Sequence, residues 1–152
     1  MLASMVLFSA LSLGPAGPAT AAKAGSPEEK AVVARLQALL DGLAKRDKAA
    51  MAAQLLPGGS VSLMRNGKPV QMGFDAFVDR LSQPGTDTRE ERIYDPLVRI
   101  DNDIAVVWAR FDFRVNGKVD HCGTDLVNLA KVDGQWLISF IGDTSRDSGC
   151  TK

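Results

Sequence analysis

Hydrophobic and polar residues alternate along the second half of the chain, and this period of two predicts three consecutive strands over residues 104–146. The strands are separated by Asn116-Gly117 and Asp133-Gly134. Both dipeptides are preferred in two-residue hairpin turns, because each turn residue must adopt a positive φ. The pattern therefore predicts an antiparallel ribbon whose register is set by its turns.

The register determines which side chains share a face of the ribbon. Counting back from the turns places Trp108 opposite Asp125, and Asp112 opposite His121. The face so defined is apolar at one end and polar at the other, as a ligand pocket requires. Its predicted members are Ile104, Val106, Trp108, Arg110, Asp112, His121, Asp125, Val127, Leu129, Ile138 and Phe140. The opposite face, which includes Val107, Ala109, Phe111 and Phe113, is apolar enough to predict a second packed surface, such as a homodimer contact.

The first half of the chain predicts three helices and a hairpin. Ser26 is a suitable N-cap, and apolar residues repeat at helical spacing over residues 32–43. Asp47 is expected to cap a second, short helix that runs to Leu55. A hairpin follows over residues 60–72, and a third helix over residues 74–82.

A further strand is predicted over residues 89–100, joined to the ribbon by a turn of two or three residues. The three-residue turn is preferred because it pairs Ile100 with Ile104, and it directs Tyr94 to the pocket face. Pro96 interrupts this strand, which predicts a bulge. The order of elements predicts an α+β fold, in which a curved antiparallel sheet carries three helices on its concave face.

The N-terminal residues 1–22 have the pattern of a secretory signal peptide, with an apolar segment, helix-breaking residues and a small-x-small cleavage pattern. No Lys or Arg precedes the apolar segment, and the alternative interpretation is a helix of the fold. The segment is too short to span a bilayer. We expect a linker at 23–27, a domain at 28–150, export to the periplasm or medium, and no membrane span after signal removal.

Composition narrows the classes of partner. The chain has 152 residues, 45% of them hydrophobic, and a net charge of zero, which fits one globular domain. Without a basic run, nucleic acid is not an expected partner. The single histidine and two cysteines offer no metal-ligand spacing, so no metal or cofactor is predicted. Cys122 lies opposite Ser145, and the tail can fold back, so a Cys122–Cys150 disulfide is expected in an oxidising compartment.

Four segments carry a resemblance to a known family. They are Ile104-Ala-Val-Val-Trp-Ala109, Asn116-Gly-Lys118, His121-Cys-Gly123 and Gly134-Gln-Trp-Leu-Ile138. With the order of elements, they resemble an exported bacterial branch of the nuclear transport factor 2-like superfamily over Glu28 to Cys150. The resemblance implies a cone-shaped domain. That superfamily includes enzymes such as the ketosteroid isomerases, SnoaL-like cyclases, scytalone dehydratase and limonene epoxide hydrolase, and also non-enzymes.

The enzyme motifs of these relatives match only in part. The predicted hairpin lacks the carboxylate base of ketosteroid isomerase-like chemistry. Arg110-Phe111-Asp112 looks like half of the limonene epoxide hydrolase-like motif, and the second half is missing unless Asp125 substitutes. His121 with Asp112 or Asp125 imitates the scytalone dehydratase-like pair without matching its motif.

Three functional hypotheses remain open. The first is a module that binds a small apolar or amphipathic molecule, with Trp108, Tyr94, Asp125, Arg110 and Phe140 as ligand-binding residues. The second is a lyase, isomerase or hydrolase, with His121 or Asp125 as the base, Asp112 as its partner and Arg110 stabilising negative charge. The third is a structural homodimer. Each charged residue also has a structural interpretation: His121 with Asp112 as a cross-strand pair, and Asp125 with Arg110 as a buried salt bridge.

Overall fold

The structure, a computed structural model, describes residues 25–150. It contains three helices, α1 (Pro27–Lys45), α2 (Lys48–Ala52) and α3 (Phe74–Leu81). The predicted signal peptide at 1–22 lies outside the described residues.

Helix α1 begins where the sequence predicted, and its cap explains why. The Ser26 hydroxyl accepts a hydrogen bond from the Glu29 amide at 3.1 Å, and the Glu29 carboxylate accepts one from the Ser26 amide at 2.9 Å. This capping box satisfies two amides that the helix itself leaves unpaired. Asp47 caps α2 as predicted, but α2 ends at Ala52, because the chain enters the first strand at Leu55.

The sheet has six strands, and the fold class is the predicted α+β arrangement. The strands are β1 (Leu55–Arg65), β2 (Lys68–Gly73), β3 (Arg89–Asp101), β4 (Ile104–Val115), β5 (Lys118–Val132) and β6 (Gln135–Asp143). Their order in the open, curved sheet is β2-β1-β6-β5-β4-β3. Every pair is antiparallel except β1 with β6, so the sheet is mixed.

The hydrophobic core lies between the sheet and the helices. Helix α1 packs on β3, β4 and β6, and α3 packs on β1 and β2. On α1, the buried apolar residues are those at the predicted helical spacing: Val32, Leu36, Leu39, Leu40 and Leu43. The face of the sheet that meets the helices is called the concave face below, and the other is called the convex face.

A bulge in β5 changes the register between β4 and β5. Next to the turn, Arg114 lies opposite Val119. One residue further from the turn, Phe113 lies opposite His121, so Asp120 has no partner in the ladder. One extra residue moves every later side chain of the strand to the other face. The predicted pairing of Trp108 with Asp125 is therefore wrong: Trp108 lies opposite Leu126, and Asp125 lies opposite Ala109.

A second bulge has the same effect on β6. Leu129 lies opposite Ile138 as predicted. One residue further from the turn, Asn128 of β5 lies opposite Phe140 of β6, so Ser139 has no partner on β5 and is the bulge residue. The inward positions of β6 beyond Ser139 are therefore Ile141 and Asp143 rather than Phe140 and Gly142.

The predicted bulge at Pro96 is present, because Tyr94 lies opposite Arg110 while Leu97 lies opposite Trp108. The turn before β4 has two residues, with Asp101 opposite Ile104, so the preferred three-residue turn was wrong. Two-residue geometry is favoured here because Asn102 adopts a positive φ of 48°.

These shifts exchange the two faces predicted for β4. Val107, Ala109 and Phe111 are buried on the concave face, although they were assigned to the outer surface. Trp108 is 52% exposed on the convex face. The predicted pocket residues that the structure places on the convex face are Ile104, Val106, Trp108, Arg110, Asp112, Tyr94 and Phe140. His121 and Asp125 remain on the concave face with Val127, Leu129 and Ile138.

The C-terminal segment is bonded to the sheet by the predicted disulfide between Cys122 and Cys150. Next to the disulfide, Cys122 and Arg146 exchange two backbone hydrogen bonds, at 3.0 and 2.9 Å. The disulfide therefore joins segments that already lie side by side. Within residues 25–150, no helix combines the length and the hydropathy that crossing a bilayer requires.

Candidate functional site

A cavity of about 280 Å³ lies between the helices and the concave face. Most of its wall is apolar, and charged side chains lie on one part of it. The apolar lining comprises Leu36, Leu39, Leu40, Leu43, Leu63, Val70, Phe77, Leu81, Phe113, Val127 and Ile141. The polar lining comprises Arg65, Arg80, Glu91, His121, Asp125 and Asp143. Apolar walls with a few convergent polar groups are typical of small-molecule sites.

Asp143 is the carboxylate of the cavity that has a cation as its partner. Arg65 donates to both of its oxygens, to Oδ1 at 2.5 Å and to Oδ2 at 2.7 Å. The Met64 amide donates a further hydrogen bond to Oδ1 at 3.2 Å. A bidentate pair of this kind is stronger than a single neutral hydrogen bond and fixes the position of both side chains. The pair is possible because β1 and β6 run side by side in parallel, with Leu63 opposite Asp143.

Asp125 is buried on β5 directly opposite Asp143. It is 4% exposed, and its Oδ2 has no hydrogen-bond partner among the described residues. Burial raises the pKa of Asp125 well above its usual value, and the charges of Glu91 and Asp143 raise it further. Like charges that share a low-dielectric site oppose one another's ionisation, which favours the protonated form of Asp125.

Glu91 reaches the cavity from β3, where it lies opposite Phe113. Burial and the neighbouring Asp143 raise the pKa of Glu91 to about 7, while Arg65 acts in the opposite direction. A carboxyl group with a pKa near neutrality can hold or release a proton at physiological pH. Asp125, Glu91, Asp143 and Arg65 are called the acid cluster below.

His121 lies on the cavity wall, but its partner is not the predicted one. Its ring stacks on Phe113 at a centroid distance of 4.9 Å, and its Nδ1 lies 2.9 Å from Asp120 Oδ2. Asp112 is on the other face of β4. A carboxylate at Nδ1 fixes the orientation of an imidazole, so the bulge residue supplies the partner that the sequence had assigned to Asp112.

The other predicted polar residues form a separate network on the convex face. The Tyr94 hydroxyl donates to Asp112 at 2.7 Å, and Arg114 donates to both oxygens of Asp112 at 2.8 Å. These bonds, of which the Arg114 pair is the strongest, lower the pKa of Asp112. Arg110 pairs at 2.6 Å with the exposed Asp95 instead of Asp125. Tyr94, Arg110 and Asp112 are therefore not brought to the cavity.

Sequence reasoning missed Glu91, Asp143 and Arg65. In the sequence, each of them is a charged residue inside a predicted strand or beside a predicted turn, and this position was the one signal that could have identified them. It could not be used, because the bulges decide which of these residues point inward.

The acid cluster can supply a bound molecule with hydrogen-bond donors, acceptors or negative charge, according to how many protons it holds. In the part of the chain that the structure describes, no group of three or more His, Cys, Asp or Glu side chains is arranged to hold a metal ion.

The helices pack on the concave face of an open sheet, and a cavity lies between the two layers. This arrangement places the chain in the nuclear transport factor 2-like class, also called cystatin-like. The chain belongs to the family described as "Putative lumazine-binding", whose family model matches residues 27–139. No curated protein sequence matches the chain.

Solved structures show the same fold at low sequence identity. An NTF2-like protein from Cytophaga hutchinsonii is 15% identical with a TM-score of 0.68, over 80% of this chain and 100% of that one. A protein of unknown function with a cystatin-like fold from Nostoc punctiforme is 11% identical with a TM-score of 0.66, over 81% and 95%. A "putative dehydratase from the NTF2-like family" from Streptomyces avermitilis is 14% identical with a TM-score of 0.65, over 80% and 99%.

Proposed function

We propose that this protein binds a small, largely apolar molecule in the cavity, with the polar end of that molecule at the acid cluster. The observation that carries the proposal is the buried Asp125 Oδ2, which has no partner in the described residues although it lines a cavity. An unsatisfied buried polar atom lowers stability, so its presence is best explained by a partner that arrives with a ligand. The description of the family as lumazine-binding supports a small-molecule role.

The location that we propose is outside the cytoplasm. The Cys122–Cys150 disulfide supports export, because disulfides persist in oxidising compartments. The signal-like pattern at residues 1–22 supports the same proposal.

Filling the cavity tests the binding proposal. Leu63→Trp places a large ring in the cavity wall, whereas Val106→Trp adds the same ring to the convex face. We expect wild type and Val106→Trp to retain hits from a metabolite library in native mass spectrometry, and Leu63→Trp to lose them. Thermal unfolding of both variants verifies that each is folded. Equal binding by wild type and Leu63→Trp would contradict the proposal.

A second candidate function is acid–base catalysis in the same cavity. Glu91 supports it, because a carboxyl group with a pKa of about 7 is suited to proton transfer near neutral pH. The similar Streptomyces avermitilis protein, described as a "putative dehydratase", supports the same class of chemistry. Asp125→Asn and Glu91→Gln should then abolish turnover of any library substrate, while a ligand that is only bound is recovered unchanged.

A third candidate is a homodimer formed through the convex face. The observation that favours it is the exposure of large apolar side chains there: Trp108 at 52%, Ile104 at 64% and Leu97 at 40%. Leu97 lies directly opposite Trp108, so these two side chains adjoin on that face.

A further inference from the structure

We infer that the ligand of the cavity is a compact apolar amine, whose protonated nitrogen lies between Asp125 and Glu91. This inference rests on the proposed binding function and names the chemical class of the ligand. It depends on the distribution of charge around the cavity and on Asp125 Oδ2, a buried carboxylate oxygen with no hydrogen-bond partner among the described residues.

Three of the six polar residues that line the cavity are acids. Glu91, Asp125 and Asp143 come from three different strands, and the cation close to them is Arg65. Both oxygens of Asp143 already accept hydrogen bonds from Arg65. Neither Glu91 nor Asp125 forms a salt bridge within residues 25–150. The cluster therefore has a cation for one carboxylate and none for the other two.

The remaining elements around the cavity do not supply the missing positive charge. Helix α1 contributes leucines, β2 contributes Val70 and β4 contributes Phe113. Arg80 on α3 is an exposed side chain, and His121 on β5 pairs with Asp120. Neither Arg80 nor His121 is among the groups that shift the pKa of Asp125 or Glu91. The charged groups that act on Asp125 are Glu91, Asp143 and Arg65, and those that act on Glu91 are Asp143 and Arg65.

At these two acids, protons take the place of a cation. Burial and the neighbouring acids keep Asp125 and Glu91 protonated to a higher pH than usual. A protonated amine that enters gains hydrogen bonds to the carboxylates that form when those protons leave. Its three N–H donors match the unpartnered Asp125 Oδ2 and the neighbouring Glu91. An anionic ligand would meet like charges at the same position.

The rest of the ligand must be apolar, because the lining opposite the acids consists of leucine side chains of α1 together with Phe77 and Leu81 of α3. A metal ion is a poorer fit, since no group of His, Cys, Asp or Glu in residues 25–150 is arranged to bind one. A cavity of about 280 Å³ limits the ligand to the size of one ring with a short side chain.

Exchange of protons for an amine makes binding depend on pH. The amine should bind more tightly as the pH rises through the pKa of Glu91, which is about 7. A neutral ligand that accepts a hydrogen bond from a protonated acid should bind more tightly as the pH falls. The two classes of ligand are therefore distinguished by the sign of the pH dependence.

Three probes of one size test the inference: 2-phenylethylamine, 2-phenylethanol and phenylacetate. Their affinities for wild-type protein are measured by ligand-observed NMR between about pH 5.5 and pH 8, which brackets the carboxyl groups with raised pKa values. We expect the amine to bind at least about tenfold more tightly than the alcohol at the upper pH. We expect that ratio to fall to about threefold or less at the lower pH, and phenylacetate to bind most weakly throughout.

Two isosteric variants separate charge from shape. Asp125→Asn and Glu91→Gln should each reduce binding of the amine by about tenfold or more and leave binding of the alcohol within about twofold. Glu90→Gln serves as the control, because Glu90 neighbours Glu91 on β3 but pairs with Arg92 and does not line the cavity, and it should keep both the affinity and the pH dependence of the amine.

The inference is overturned if the alcohol binds as tightly as the amine, if binding of the amine weakens as the pH rises, or if none of the three probes binds. It is also overturned if Asp125→Asn and Glu91→Gln bind the amine like wild type. The first result would leave the proposed binding function standing with a neutral ligand. Failure of the proposed function is a separate result, namely that no library compound distinguishes wild type from Leu63→Trp.

Discussion

Asp125 and Asp143 lie directly opposite each other on β5 and β6, and of these two carboxylates only Asp143 is paired with a cation among the described residues. The two neighbours therefore make opposite contributions to stability. The Asp143 carboxylate is stabilised by Arg65, whereas a charge on Asp125 is opposed by burial and by its neighbours.

Replacing each acid by leucine tests this contrast. We expect Asp125→Leu to raise the free energy of unfolding by about 1 kcal/mol at neutral pH, because it removes a buried carboxylate whose Oδ2 has no partner among residues 25–150. Asp143→Leu should lower it by about 2 kcal/mol, because Arg65 loses its partner. Urea unfolding measures both, and a similar loss in the two variants would show that Asp125 is as well paired as Asp143.

Arg65 and Asp143 should be energetically coupled. Because Arg65 is partly exposed, we expect Arg65→Met to cost about 2 kcal/mol, less than the loss of one partner of a fully buried pair. In Arg65→Met/Asp143→Leu neither charge remains unpaired, so the double variant should be more stable than the sum of the single effects predicts. Strict additivity in a double-mutant cycle would contradict the pairing.

Stability should fall as the pH rises from about 4.5 to about 7. The unfolded chain releases the Glu91 proton near the usual pKa of 4.5, whereas the folded protein retains it to about 7. Between these values the folded state binds more protons, so raising the pH favours unfolding, by up to about 3 kcal/mol. Glu91→Gln should make this fall shallower in thermal unfolding, and the part that remains is due to Asp125, whose pKa is also raised. Glu90→Gln, at the neighbouring position that does not line the cavity, should leave the fall unchanged. A wild-type profile that rises over this range would reverse the sign argued for Glu91.

Removal of the disulfide should destabilise the protein without moving the cavity. We expect Cys122→Ala/Cys150→Ala to lower the free energy of unfolding by about 2–4 kcal/mol, because the bond closes a loop between residues 28 positions apart. Treatment of wild type with a reductant should produce the same loss. If wild type is insensitive to reductant, the two thiols are not joined in solution.

The convex face provides a test of self-association. We expect Trp108→Asp to remain folded, because this side chain is 52% exposed, and to sediment as a monomer where wild type sediments as a dimer. Phe111→Asp should instead unfold the protein, because Phe111 is 3% exposed in the core. Identical sedimentation of wild type and Trp108→Asp would exclude this face as the contact.

The elements themselves could be predicted because their signals are local. Ser26 with Glu29 specifies the start of α1, and Asn116-Gly117 and Asp133-Gly134 specify the two turns of the ribbon. The disulfide was predictable as well, because one hairpin places Cys122 beside the segment that carries Cys150. Local chemistry and short-range periodicity are sufficient for such features.

The site could be predicted only in part. Asp125 and His121 were predicted to point inward and both lie on the cavity wall, but their predicted partners Arg110 and Asp112 lie on the convex face. The reason is the position of the bulges at Asp120 and Ser139, where one additional residue inverts every side chain that follows. A bulge is stabilised by the packing of the whole sheet against the helices, which the local sequence does not report. In addition, β4 carries apolar residues on both of its faces, so its pattern is compatible with either register.

The amino-acid sequence by itself determined the helices, the two turns of the ribbon, the disulfide and an α+β fold with acids on its strands. Only the tertiary structure decided which acids meet in the cavity, because that choice depends on the bulges and on the parallel contact of β1 with β6. Contacts between strands far apart in the chain carry no local signal, and it is such contacts that place Arg65 on Asp143 and leave Asp125 without a partner among the described residues.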